Sequence, residues 1–376
     1  MTRSQRIGSI LKGITISLVA VFVTIVIVEG LSSAVVFTYE IIFLSNSGLR
    51  SRVHVHHDDN LGWVNIPNLH LSEMYGPGGE FTTNSQSFRN SSEIEPEVPE
   101  DTRRIICSGD SFTLGIGVRD SDTWCSLLGD QTGWESVNMG EAGYGLGQMY
   151  LKYERLAAPL EHNLHIFAFI NDSFRRLLLT RFVAWNKPYV TLRDGGLVAE
   201  NLPVRRRAFF MPWLTYNANS FRRLGTVELG HRVLNRIGPG PGEAPPPQSS
   251  LEVAMAIFER IQDLNAEKGS RVLFVFLPEN AHGVPGEASL LRDLRDRMEA
   301  AGLNYVDLRS EIRDLDYEQR ERLFDPEWSH LSTEGNLWVA DRIRQREALF
   351  FDTPISYLQG RADAATPGRS VAQRNR

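Results

Sequence analysis

A chain of 376 residues with 42% hydrophobic and 10% aromatic residues has enough apolar material for one large domain or two small ones, which excludes global disorder. Its formal net charge of -6 excludes the strongly basic footprint of a nucleic-acid binder, and local patches such as Arg205-Arg206-Arg207 read as solvated surface. Two cysteines, Cys107 and Cys125, are too few for a disulfide scaffold: Cys107 reads as a small core residue, and a bridge to Cys125 is open to an exported chain.

The amino terminus carries Arg3, Arg6 and Lys12 in a basic tail over 1–12, followed by an apolar segment over 13–37 interrupted by Glu29. That order predicts a membrane-targeting helix with its amino terminus in the cytoplasm and the remainder outside, although Arg50 and Arg52 weaken the asymmetry. Two versions stand. One is an uncleaved anchor, favoured because apolar residues run past Ser32 and Ala34; the other is a signal peptide cleaved at those small residues.

Residues 46–100 are rich in Gly, Pro and Asn and read as a loop-rich lead-in with a short hairpin. The cluster His54, His56, His57, Asp58 and Asp59 carries metal-ligand types but reads as water-facing, so no metal or cofactor is expected. From 101 to 350 strands and helices alternate. Apolar runs predict strands at 105–107, 136–139, 164–170, 272–277 and 304–308. Helices are expected at 123–128, 251–264, 290–301 and 333–348. The stretch 174–250 reads as an insertion whose aromatic residues, Trp185, Tyr189, Phe209, Phe210, Trp213 and Tyr216, could form a sugar-stacking wall. It ends in a Gly/Pro-rich linker over 238–250, and 352–376 reads as a disordered tail. Alternation without repeats predicts an α/β fold with a doubly wound parallel sheet.

Four strand ends and loops carry chemistry. Gly109-Asp110-Ser111 places a hydroxyl where the first core strand ends, and Gly143, Asn171 and His330 follow at later positions of the same kind. A hydroxyl, an imidazole, a glycine backbone N–H and an amide are the inventory of acyl transfer: nucleophile, base and oxyanion donors.

Gly109-Asp110-Ser111-Phe112, Asn138 with Gly143, Asn171-Asp172 and His330-Leu331-Ser332 together resemble the SGNH hydrolases, also called the GDSL esterase and lipase family. The upstream Thr-Asn-Ser-Gln-Ser-Phe-Arg-Asn over 83–90 is similar to membrane-anchored bacterial members. The resemblance spans 104 to about 343 and implies a flavodoxin-like three-layer α/β/α sandwich with a five-stranded parallel sheet. It also implies Ser111 as nucleophile, His330 as base, and an oxyanion hole of the Ser111 and Gly143 N–H groups with the Asn171 side chain. The chain departs from the family at the acid. Spacing nominates Glu327, where the pattern has Asp, whereas residue type nominates Asp325. The function implied is a membrane-anchored serine esterase removing acyl groups, acetyl foremost, from carbohydrate or cell-envelope esters. An O-acyltransferase on an envelope polysaccharide, a lysophospholipase and a non-catalytic scaffold stand as alternatives.

Overall fold

The computed structural model describes residues 3–43, 54–182, 185–204, 250–279 and 287–351, with isolated positions 226, 229 and 233. Arg50, Arg52, Arg205 to Arg207, the aromatic residues from Phe209 to Tyr216, all of the Gly/Pro-rich linker but Ser250, and the tail over 352–376 lie outside the described residues. The chain divides into two compact units, 1–53 with 209–243, and 54–208 with 244–376.

In the first unit, helix α1 (Arg3–Phe43) contains the stretch Gly8–Val35, with mean hydropathy 2.5. At about 1.5 Å per residue it exceeds the roughly 30 Å hydrocarbon core of a bilayer. It is apolar all round and mostly exposed, so its length and composition fit a membrane span or a signal sequence.

The second unit opens with two antiparallel pairs, β1 (Val55–Asp58) with β2 (Gly62–Asn65) and β3 (His70–Leu71) with β4 (Phe81–Thr82). Strand β5 (Arg104–Ser108), helix α2 (Ser111–Leu114), helix α3 (Trp124–Thr132), strand β6 (Glu135–Asn138) and helix α4 (Leu146–Lys152) follow. Strand β7 (Leu164–Phe169) leads into helix α5 (Asn171–Leu177). Two small antiparallel pairs come next, β8 (Arg181–Phe182) with β9 (Trp185–Asn186) and β10 (Tyr189–Arg193) with β11 (Gly196–Glu200). Helix α6 (Ser250–Ala266), strand β12 (Arg271–Phe276), helix α7 (Glu287–Ala300), strand β13 (Tyr305–Asp307) and helix α8 (Thr333–Phe351) complete the unit.

The sheet runs β13-β12-β7-β5-β6, all parallel. Numbered by chain position this is the order 2-1-3-4-5, the flavodoxin-like form of the doubly wound sheet. Strand residues alternate between two cores. Ile105, Cys107, Ile166, Ala168, Leu273 and Val275 pack with Trp124 and Leu128 of α3 and Val339 and Ile343 of α8. Ile106, Phe167, Phe169, Phe274 and Phe276 face the opposite way, onto Met149 of α4, Phe258 and Ile261 of α6, and Leu294 of α7. Both faces of the sheet are covered, so its strands read as unbroken apolar runs. Each of the five strands and four helices expected from the sequence is present, with ends shifted by a few residues.

Two readings are revised and one left open is closed. From residue 54 onward the lead-in belongs to the same compact unit as the sheet, because β2 hydrogen bonds into the segment after β6. His54 does not face water: it is fully buried, its ring 5.0 Å from that of Phe81, and burial lowers its pKa to about 3. His57 Nε2 and Asp59 Oδ1, by contrast, pair at 2.9 Å on the surface, and Asp58 meets Arg155 at 3.0 Å. Among the described residues no group of three or more His, Cys, Asp or Glu side chains is arranged to hold a metal ion. Finally, Cys107 is bonded to Cys125 of α3, tying the strand before Ser111 to its neighbouring helix.

Candidate active site

In the order 2-1-3-4-5, crossovers leave β5 and β7 toward opposite sides, and the gap between their carboxyl ends is where ligands bind in such sheets. Ser111 follows β5 and Asn171 follows β7, and the segment carrying Gly143 follows β6 on the other flank of β5. The three segments therefore leave adjacent strands at one edge of the sheet.

Strand β5 ends in a turn that only glycine fits. A Cβ at Gly109 would lie 1.9 Å from Thr113 Oγ1 and 2.9 Å from Ala168 O. Asp110 caps the short helix that follows, Oδ1 accepting the Phe112 N–H at 3.0 Å, which leaves Ser111 as its first residue. Gly143 has φ +81°, and a Cβ there would come within 2.6 Å of the Phe182 ring. Its segment is held from two sides. Asn138 Nδ2 donates to Thr113 O at 2.9 Å, while Trp63 Nε1 donates to Ala142 O at 2.9 Å and Tyr144 OH donates to Trp63 O. Beside it a buried pair, Lys152 Nζ with Glu141 Oε2 at 2.8 Å, shares its carboxylate with the Asn65 N–H at 3.0 Å.

His330 comes from the turn before α8, which the Phe324–Leu331 bridge closes. Its Nε2 lies 2.8 Å from Ser111 Oγ, and Phe112 stands beside the ring at 4.7 Å between centroids. Nδ1 lies 2.6 Å from the carbonyl oxygen of Trp328. A carbonyl can only accept, so Nδ1 carries the proton and the Nε2 lone pair is left facing the serine hydroxyl. Burial lowers the pKa of His330 to about 4, so the ring is neutral at ordinary pH.

Neither carboxylate nominated from the sequence occupies the orienting position. Asp325 Oδ1 is engaged by the backbone N–H groups of Glu327 and Trp328, both at 2.8 Å, so this side chain builds the turn. Glu327 is exposed. The turn instead presents the Trp328 carbonyl, which has no side-chain signature for sequence to reveal.

Asn171 begins α5, half-buried, and donates its N–H to Glu279 Oε2 at 2.8 Å. Glu279 was not singled out from the sequence. It lies three residues beyond β12, at the same sheet edge, and that position together with its carboxylate was the available signal. Burial raises its pKa to about 7, with Asp110 and Asp172 adding to the rise. Asp110 is likewise raised by burial, to about 6, against the pull of Arg176.

Together the fold and site define a flavodoxin-like three-layer α/β sandwich with a Ser–His pair at its switch edge. No family model matches the chain, and no curated protein matches it. Among solved structures it is similar to a putative lipolytic protein of the G-D-S-L family from Desulfitobacterium hafniense, at 12% identity and TM-score 0.37 over 65% of this chain and 99% of that one. It is also similar to an acetyl xylan esterase, at 12% identity and TM-score 0.38 over 65% of this chain and 98% of that one. A lipase/acylhydrolase from Enterococcus faecalis matches at 12% identity and TM-score 0.36, over 72% and 100% of the two chains.

Proposed function

We propose that this chain is a serine ester hydrolase, tethered to the cytoplasmic membrane by α1 with its catalytic unit outside the cytoplasm, that removes short acyl groups, acetyl foremost, from carbohydrate or other cell-envelope esters. The observation carrying the reading is the 2.8 Å approach of His330 Nε2 to Ser111 Oγ with Nδ1 held by a carbonyl. In that tautomer Nε2 can take the hydroxyl proton as Oγ attacks the ester carbonyl. The tetrahedral oxyanion is received by the Ser111 and Gly143 N–H groups and the Asn171 side chain. Collapse expels the alcohol, protonated by His330, and leaves an acyl-serine. Water, deprotonated by the same ring, then releases the acid and restores the hydroxyl.

The basic tail ahead of α1 supports the outward orientation. The Cys107–Cys125 bond supports an oxidising compartment. The test is hydrolysis of a chromogenic short-chain ester by the purified protein and by Ser111→Ala. Loss of turnover in the variant is expected, and equal turnover by both would end the assignment.

A further inference from the structure

One buried side chain that the proposed mechanism does not use ties the segments of the site together. Arg176, on the last turn of α5, is 8% exposed. Its Nε lies 2.6 Å from Asp172 Oδ2, and its Nη1 lies 3.3 Å from Asp110 Oδ2 and 3.2 Å from the carbonyl oxygen of Tyr144. Each of these three partners is the immediate chain neighbour of a proposed site residue. Asp110 precedes Ser111, Tyr144 follows Gly143, and Asp172 follows Asn171. The guanidinium also lies 4.7 Å from the centre of the Phe182 ring, the ring that packs against Gly143.

We propose that Arg176 is a positioning residue for the reaction described above: one guanidinium that sets the nucleophile, the Gly143 N–H and Asn171 relative to one another. The inference rests on that reading of the site. Only a planar, permanently charged fork with donors in several directions can meet two carboxylates and a carbonyl from three separate segments; an ammonium ion is a single point of charge on a flexible stem. The partners are also unequal in reach. Asp172 sits one helical turn before Arg176 and so fixes the direction of the guanidinium from within α5. Asp110 and Tyr144 then receive it from the ends of two other strands. Asp110 passes the constraint on, since its other oxygen caps the helix that begins with Ser111. Gly145 allows the approach, because a Cβ there would lie 2.8 Å from Arg176 Cβ.

The experiment uses the full-length protein in detergent, comparing wild type, Arg176→Lys, Arg176→Ala and Ser111→Ala on a chromogenic acetyl ester, with kcat, KM and thermal melting recorded for each. A displacement of about 1 Å among reacting groups lowers rate by about 100-fold, so Arg176→Lys should lose about that factor in kcat with KM little changed and melting close to wild type. Guanidinium ion at low millimolar concentration should raise kcat of Arg176→Ala and leave Ser111→Ala unchanged. Wild-type kcat in Arg176→Lys would overturn the inference. So would a loss in Arg176→Ala that follows its unfolded fraction and is not relieved by guanidinium. Absence of Ser111-dependent turnover in the wild type would instead remove the esterase reading, and this inference with it.

Discussion

At His330 the second ring nitrogen meets the carbonyl of Trp328 at 2.6 Å, and in the proposed mechanism this contact takes the place of the orienting carboxylate of a full triad. A carbonyl fixes the tautomer without adding a full negative charge, and its hydrogen bond favours the protonated ring against the larger opposing effect of burial. Substituting Glu327 by Gln should therefore leave kcat/KM close to wild type, because the exposed carboxylate touches nothing in the site. A loss of about 100-fold or more, the scale on which general-base catalysis operates, would return Glu327 to the triad. Asp325→Ala acts differently: it strips two backbone amides of their acceptor and should loosen the turn that carries the ring.

Burial of the same ring fixes a pH dependence. The proposed mechanism uses the neutral ring of His330, and its pKa is lowered to about 4, so that form persists where an ordinary histidine near 6.5 would take up a proton. For a non-ionising ester, kcat/KM should hold its level as pH falls past that ordinary value and drop only toward about 4. Glu279 and Asp110 also change charge on the way down, so the profile is best taken in wild type and in Glu279→Gln side by side. An acid limb centred at or above about 6.5 in both proteins would contradict the account. That Ser111 and His330 would come together was legible because each stands in a motif at a fixed place. The histidine's partner was not, because every residue has a carbonyl.

Among the elements, β5 matters most to the proposed mechanism, since Ser111 follows it and it is flanked by β6 and β7, which precede Gly143 and Asn171. The Cys107–Cys125 bond joins it to α3 across 18 residues. A loop of that length implies about 3 kcal/mol on the chain-entropy view. Cys107→Ser together with Cys125→Ser should lower stability on that order, measured by denaturant unfolding of the reduced and oxidised wild type beside the double variant. An unchanged midpoint on reduction would show that the bond does not constrain the fold. The strands of the sheet were legible because both faces are covered, which makes them short apolar runs. Strands β8 to β11 escaped notice because two to five residues of partly exposed hairpin have no periodicity to read. The same region holds Arg176, whose i,i+4 spacing from Asp172 was its one visible signal.

At the scale of the molecule, the segment that sequence separated as a lead-in is, from residue 54, part of the unit that holds the sheet. Its strand β2 holds the Gly143 segment through Trp63 and Asn65, and Arg89 reaches the carbonyls of Leu114, Gly115 and Val118 just after the nucleophile helix. Low periodicity and a high content of Gly, Pro and Asn concealed this, because the segment folds by hydrogen bonds to another part of the chain and not by a regular pattern of its own. The proposed mechanism depends on one pairing, between the Ser111 hydroxyl just after β5 and the imidazole of His330. The most direct measurement of that pairing is peptide mapping after treatment with a fluorophosphonate, which reacts with a serine only when a base has activated it. The account predicts a single adduct on Ser111 in the wild type and its loss in His330→Ala. An unmodified Ser111 in the folded wild-type protein, or equal labelling with His330 removed, would contradict it.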